Sequence, residues 1–325
     1  MDKSGNIAKG NNKWMLVIIV LTILIIIYNP STKKTIISRD IEHAIFLPAY
    51  EAIIINGTFD HWEFHSERLK PEAVDYLKSH NFTAIYLTGT DLSLILGTDQ
   101  AIFKEFVDYA RQQGFYVIGT GMGDSSFLTK SQEQLTTYFD FWINGVGNIY
   151  DAYLTEIEIA SIPGFSENEL YWFNQSIRVN NLIAERAHQS NLTISHIIAW
   201  WYDGQMKLAG ISDGINSYQH DFATLIDYGF TANSSLNRAE DNLLISNITM
   251  IVTISIMEDV PLGEPHLSQD EFELFLIQMD GLNQYEKYGG FAVWRYNEYR
   301  KWYNLTLESP QITIIPTESK GEAED

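Results

Sequence analysis

The 325 residues are 45% hydrophobic and 13% aromatic, enough apolar area for one large core, which excludes a disordered chain. A formal net charge of −21 argues against nucleic acid and anionic headgroups as partners, since like charges repel. There is no cysteine, so disulfides, thiolate catalysis and cysteine-bound zinc are excluded.

Residues 1–13 form a short basic segment with Lys3, Lys9 and Lys13. Residues 14–28 follow without a charge, and Trp14 and Tyr28 stand at the ends. At 1.5 Å per residue this run spans roughly 22 Å, short for a bilayer but workable. It reads as one N-terminal transmembrane signal-anchor, with a cleaved signal peptide as the alternative. Seven Asn-x-Ser/Thr sequons, at Asn56, Asn81, Asn174, Asn191, Asn233, Asn247 and Asn304, favour a C-terminal domain outside the membrane. Residues 29–45 read as a linker, 46–308 as the folded domain and 309–325 as an acidic tail. Residues 1–39 hold six basic side chains and one acidic, so the rest carries 15 basic against 41 acidic, a net of −26.

Within the domain, short β-branched or aromatic runs alternate with amphipathic segments. Strands are expected at Ala52–Ile55, Ala84–Leu87, Tyr116–Gly119, Ala152–Ile157, Ser195–Trp200, Phe222–Ile226, Thr249–Ile254 and Gly290–Trp294. Helices are expected at Ser66–Ser79, Asp99–Gln113, Asn168–Ser190 and Asn233–Leu244. Another should open at the capping box Ser268-x-x-Glu271. Ile102, Phe103, Phe106, Val107 and Ala110 share one helix face, and Gly114 ends that helix. Near-continuous apolar strands imply parallel strands buried on both faces. The fold class is therefore α/β, a (β/α)8 TIM barrel preceded by one N-terminal transmembrane helix. An open doubly wound sheet would show a glycine-rich first turn, and none is present.

In such a barrel, chemistry collects where strands end. Those positions hold Asn56 and Asp60-His61-Trp62, then Thr88, Thr90 and Asp91, then Asp124. Next come Glu156 and Glu158, Trp200-Trp201-Tyr202-Asp203, Asp227-Tyr228, Glu258-Asp259, and Trp294 with Arg295, Tyr296 and Glu298. Acids and aromatics suit a sugar: rings stack on pyranose faces, and carboxylates take hydroxyl hydrogen bonds and move protons. Glu156 and Glu158 should share a strand face, about 7 Å apart along the backbone. Carboxylates that close resist joint ionisation, which keeps one neutral near pH 7. The same spacing also fits two solvated acids, or ion pairs to Arg295 and Lys207. His61 and His65 are four apart in a loop-like stretch and read as surface or packing residues, with no metal site. Trp142, Trp172 and Phe173 read as core, and Arg295, Arg300 and Lys301 as counter-charges to the acids.

Asp151-Ala-Tyr-Leu-Thr-Glu156-Ile-Glu158 resembles the strand-four signature of glycoside hydrolase families 18 and 85, the chitinase-like and endo-β-N-acetylglucosaminidase barrels. Trp201-Tyr202-Asp203-Gly204 is similar to a family 85 segment, and Gly290-Phe-Ala-Val-Trp294 to the family 18 strand whose Trp floors the sugar subsite. The resemblance implies substrate-assisted, retaining hydrolysis of N-acetylhexosamine glycans without a cofactor. Glu158 is then the proton donor, and Glu156 orients the 2-acetamido group that attacks the anomeric carbon. Tyr202, with Tyr228, would bind that group, and Trp294 would lie beneath it. Asp227, Trp201, Asp203, Glu258, Tyr296 and Trp62 complete the substrate-binding set. Position 156 is Glu where the families have Asp or Asn, position 152 is Ala for Gly, Leu154 replaces a polar residue, and Asp227-Tyr228 reverses the usual order. Two other readings stand: a non-catalytic barrel binding glycan or a partner through Trp62, Trp201, Trp294 and Tyr296, and a conventional retaining pair of Glu158 and Glu258, about 5 Å apart.

Overall fold

A computed structural model of the chain describes residues 42–299, apart from 56–57, 148, 160–161, 257–265, 295 and 297–298. The anchor expected at 14–28, the tail at 309–325, Glu258-Asp259, Arg295, Glu298, Arg300 and Lys301 lie outside the described residues. No helix among the described residues is long and apolar enough to cross a membrane.

The chain enters as strand β1 (His43–Pro48), then makes a two-stranded antiparallel hairpin, β2 (Tyr50–Ile55) and β3 (Thr58–Phe64). Seven further strands follow: β4 (Ala84–Thr88), β5 (Tyr116–Met122), β6 (Ala152–Thr155), β7 (Thr193–Ala199), β8 (Phe222–Ile226), β9 (Thr249–Ser255) and β10 (Tyr288–Trp294). These seven and β1 pair in parallel and close into one barrel, β10 returning to β1. The helices are α1 (Pro71–Ser79), α2 (Thr90–Ile95), α3 (Gln100–Gln112), α4 (Gln132–Val146), α5 (Glu169–Gln189), α6 (Tyr202–Leu208), α7 (Ala232–Ile245) and α8 (Gln269–Gln278).

The expected first strand needs correction. Ala52–Ile55 belongs to the hairpin, with Ile53 opposite His61, and the barrel strand is the run just before it. Both runs are apolar and β-branched or aromatic, so composition does not separate them; only the pairing partner does. The barrel thus begins at His43, three residues before the expected boundary. The other seven strands fall where periodicity put them. Helices α2 and α6 are too short to leave a periodic trace, and α4 carries apolar side chains around much of its circumference.

Alternation along each strand splits the core in two. Odd residues of β1 and β4, such as Ile45, Leu47, Ile85 and Leu87, join Phe103, Phe106 and Val107 of α3 in the shell between strands and helices. Even residues line the lumen: Phe46 stacks on Tyr86 at 4.4 Å, and the Tyr86 hydroxyl meets Thr224 Oγ1 at 3.1 Å on the opposite side of the barrel. Thr224 also meets Ser195 Oγ at 3.0 Å. Burying these hydroxyls costs little because each has a partner.

Caps set the helix starts. Asp99 accepts from the Ala101 N–H at 2.9 Å, and Ser131 and Gln134 form a reciprocal capping box opening α4. Trp142 is buried, edge-on to Tyr153 at 4.2 Å. Trp142→Ala is expected to cost about 3–5 kcal/mol, read as a lower urea midpoint at unchanged slope.

Candidate active site

Strand β6 places the key acids. Ala152 and Leu154 face the lumen, and the same two-residue alternation carries Glu156 and Glu158 onto the mouth. There a cavity of about 200 Å³ is lined by Phe46, Glu156, Glu158, Ile197, Thr224, Ile226, Tyr228, Thr253 and Trp294. It lies at the C-terminal ends of the strands, where barrel enzymes hold their sites. Trp294, the last residue of β10, is set by an edge contact with Phe46 at 4.8 Å. The wall thus holds three aromatic rings, two isoleucines, two carboxyls and two threonine hydroxyls.

Glu156 is half-buried and Glu158 exposed. Burial pushes the Glu156 carboxyl up to about 7, and the charges of Asp91 and Glu158 push the same way against the nearby Thr120 hydroxyl. Asp91, opening α2, is itself raised to about 6 by burial and by Asp124, although two backbone N–H groups oppose this. Its carboxylate rests on Gly121, whose φ is +101°; a Cβ there would sit 2.2 Å from Asp91 Oδ1. Only glycine fits that backbone and that contact.

Asp227 belongs to the other face of its strand. It is fully buried in the outer shell, with Arg238 Nε 3.1 Å from Oδ1. That N–H points at the Ser234 carbonyl instead, so the pair is a charge contact without an aligned hydrogen bond. Burial raises the Asp227 carboxyl to about 7 despite Arg238.

Three raised carboxyls, Glu156, Asp227 and Asp91, make the folded state bind more protons than the unfolded chain between about pH 4 and 7. Their contribution is fully present below their ordinary values and is lost as pH rises through 6 to 7. Buried His196 and His220, whose protonation burial pushes down, oppose this below about pH 6.5. The three carboxyls outnumber them, so the melting temperature is expected to be higher at pH 5 than at pH 8, a difference that scanning calorimetry reads directly.

Of the expected site residues, the structure brings together Glu156, Glu158, Tyr228 and Trp294. Tyr202 does not line the cavity. It is buried in the first turn of α6, edge-on to Phe173 at 5.8 Å, and its hydroxyl accepts the Ile159 N–H at 3.4 Å. Trp201 packs on Tyr202 at 4.7 Å and faces Phe165. Asp203 is buried, pairs with Lys207 at 2.8 Å and accepts the Ile215 N–H at 3.2 Å. Lys207 is therefore engaged by Asp203. The cause is that β7 ends at Ala199 and helix begins at Tyr202, so the chain winds outward where an extended strand would have continued. Tyr296 is buried, edge-on to Tyr76 at 6.0 Å, and Trp62 stands exposed on β3. Glu258 lies outside the described residues.

Sequence reasoning missed Phe46, because β1 was not recognised, and the hydroxyls Thr224 and Thr253. Thr224, Ile226 and Tyr228 follow a period of two along β8, which was the available signal.

No protein-family model matches the chain, and no curated protein does. Solved structures do. A GH18 chitinase from Pseudoalteromonas aurantia is 10% identical with a TM-score of 0.56, over 78% of this chain and 94% of that one. The chitinase-assigned C-terminal domain of a protein from Desulfitobacterium hafniense DCB-2 is 9% identical with a TM-score of 0.53, over 79% and 94%. A GH18 chitinase from Cycas revoluta, in complex with (GlcNAc)3, is 13% identical with a TM-score of 0.47, over 79% and 95%. The chain has a divergent GH18-like barrel fold, and at these identities the likeness is one of fold.

Proposed function

We propose that this barrel is a glycoside hydrolase that cleaves N-acetylhexosamine-containing glycans by a substrate-assisted, retaining route. The observation that carries the reading is the convergence of Glu156, Glu158, Tyr228 and Trp294 on one cavity at the barrel mouth. Glu158, exposed, donates its proton to the leaving glycosidic oxygen and later takes one from water. Glu156 faces the same space and orients the acetamido group, whose oxygen closes on the anomeric carbon. Tyr228 takes the acetamido hydrogen bond, because the Tyr202 hydroxyl is occupied by Ile159. Trp294 lies under the ring. A cavity of about 200 Å³ falls below the ~300–1,000 Å³ of common ligand pockets, a size for one sugar ring with its acetamido arm. We also propose that residues 14–28 anchor the chain in a membrane, with the acidic barrel outside.

The test is release of fluorophore from N-acetylglucosaminide and chitobioside conjugates by the intact chain in detergent. Turnover is expected. A folded chain that binds chito-oligosaccharide without turnover would favour a non-catalytic glycan-binding barrel, a reading that Leu154 in the lumen and the withdrawn Tyr202 support, with Trp294 in place of the withdrawn Trp201 as its aromatic contact.

A further inference from the structure

Three of the sequons recur at one kind of place. Asn81-Phe-Thr83, Asn191-Leu-Thr193 and Asn247-Ile-Thr249 each lie between a helix and the strand that follows it, before β4, β7 and β9. Helix-to-strand turns ring the barrel end opposite the cavity. The five described sequon asparagines, Asn174 and Asn233 included, are exposed and make no side-chain hydrogen bond among the described residues. The asparagines whose amides are engaged, Asn180, Asn181, Asn216 and Asn242, all fall outside sequons.

A backbone explanation covers only part of this. Asn81 and Asn191 have φ of +62° and +57°, the left-handed helix end that asparagine tolerates. Asn247 has no such φ, and Gly114 fills the equivalent turn before β5 where only conformation is needed. Helix termination also does not require a threonine two residues later. Thr83 has a structural role besides, accepting the Glu42 and His43 N–H groups at 3.0 and 3.1 Å, and for Thr193 and Thr249 no side-chain hydrogen bond is found among the described residues. In the two helical sequons the hydroxyl residue is buried, Ser176 against Tyr218 and Ser235 against the Asp227 carbonyl. In the three turns the threonine is only half-buried.

We propose that Asn81, Asn191 and Asn247 carry N-linked glycans, which coat the end of the barrel opposite the cavity. The inference rests on the export part of the reading above. The donor is an oligosaccharide on a polyprenyl (pyro)phosphate. The asparagine amide nitrogen attacks the anomeric carbon, a C–N bond forms, the C–O bond to phosphate breaks, the polyprenyl (pyro)phosphate leaves and the amide proton passes to base.

Peptide mass spectrometry of the full chain from the cells that make it reads sugar mass residue by residue. Sugar is expected on Asn81, Asn191 and Asn247 and absent from Asn174 and Asn233. Asn81→Asp, Asn191→Asp and Asn247→Asp, which keep the tolerated backbone, should each remove one glycan without moving the melting temperature. Protease treatment of intact cells, run in parallel, reports where the barrel lies. A barrel outside and bare at all three asparagines overturns the proposal alone; a barrel inside overturns it together with export. Hydrolase activity has no bearing on either outcome.

Discussion

Glu158→Gln is expected to lower chitobioside turnover by about 10²–10⁴-fold in kcat, with KM little changed, because it keeps the shape of the side chain and removes the transferable proton. Its position supports this size of effect: Glu158 shares the cavity with Trp294 and Tyr228 and reaches solvent for the water of the second half-reaction. The wild-type profile should lose activity as pH rises through about 7, where the Glu156–Glu158 pair gives up the proton that burial holds on it. The protons belong to the pair, so the limb is a property of both groups. Glu156→Gln removes one charge of the pair and should move that alkaline limb while retaining the donor. A Glu158→Gln chain with full activity would end the assignment of the acid.

The second large effect concerns folding. Arg238→Met leaves Asp227 buried without the cation that pairs with it among the described residues, and breaking such a pair from one side costs about 3–5 kcal/mol. The sign with pH is specific. Above pH 7 the Asp227 carboxylate is charged and the full loss is expected; at pH 5.5 it is protonated and the loss shrinks. Arg238 also lies over the Trp200 ring at 4.6 Å, so some loss remains at any pH. Denaturant unfolding at pH 8 and pH 5.5 separates the two. Equal losses at both would make Arg238 a packing residue only, and Asp227→Asn combined with Arg238→Met should recover much of the difference at pH 8.

The barrel was legible because its staves are buried on both faces and so stand out as apolar runs separated by amphipathic helices. The adjacent runs at 43–48 and 50–55 show the limit: each looks like a stave, and the choice depends on pairing partners, the distant Ala84 and Phe291 for one and the nearby Trp62 for the other. Glu156 and Glu158 were legible from the two-residue period alone. Tyr202, Trp201 and Asp203 were not placed correctly, because a strand that turns into helix within three residues rotates its side chains away from the lumen, and nothing in Ile-Ala-Trp-Trp-Tyr announces that turn. Asp227 and Tyr228 divided for the same reason that the two Glu residues united, since neighbours on a strand face opposite ways.

The hairpin inserted after β1 begins and ends at almost the same point, because the His65 N–H donates to the Ala49 carbonyl at 2.9 Å. That clasp closes the chain path beneath the hairpin before α1 starts. A segment whose two ends are already joined behaves as a cassette: lengthening or shortening its tip adds only a small entropy change and leaves the staves untouched. This domain can therefore diversify the insert that follows its first stave by trading hairpins, with the barrel itself serving as an unchanging socket.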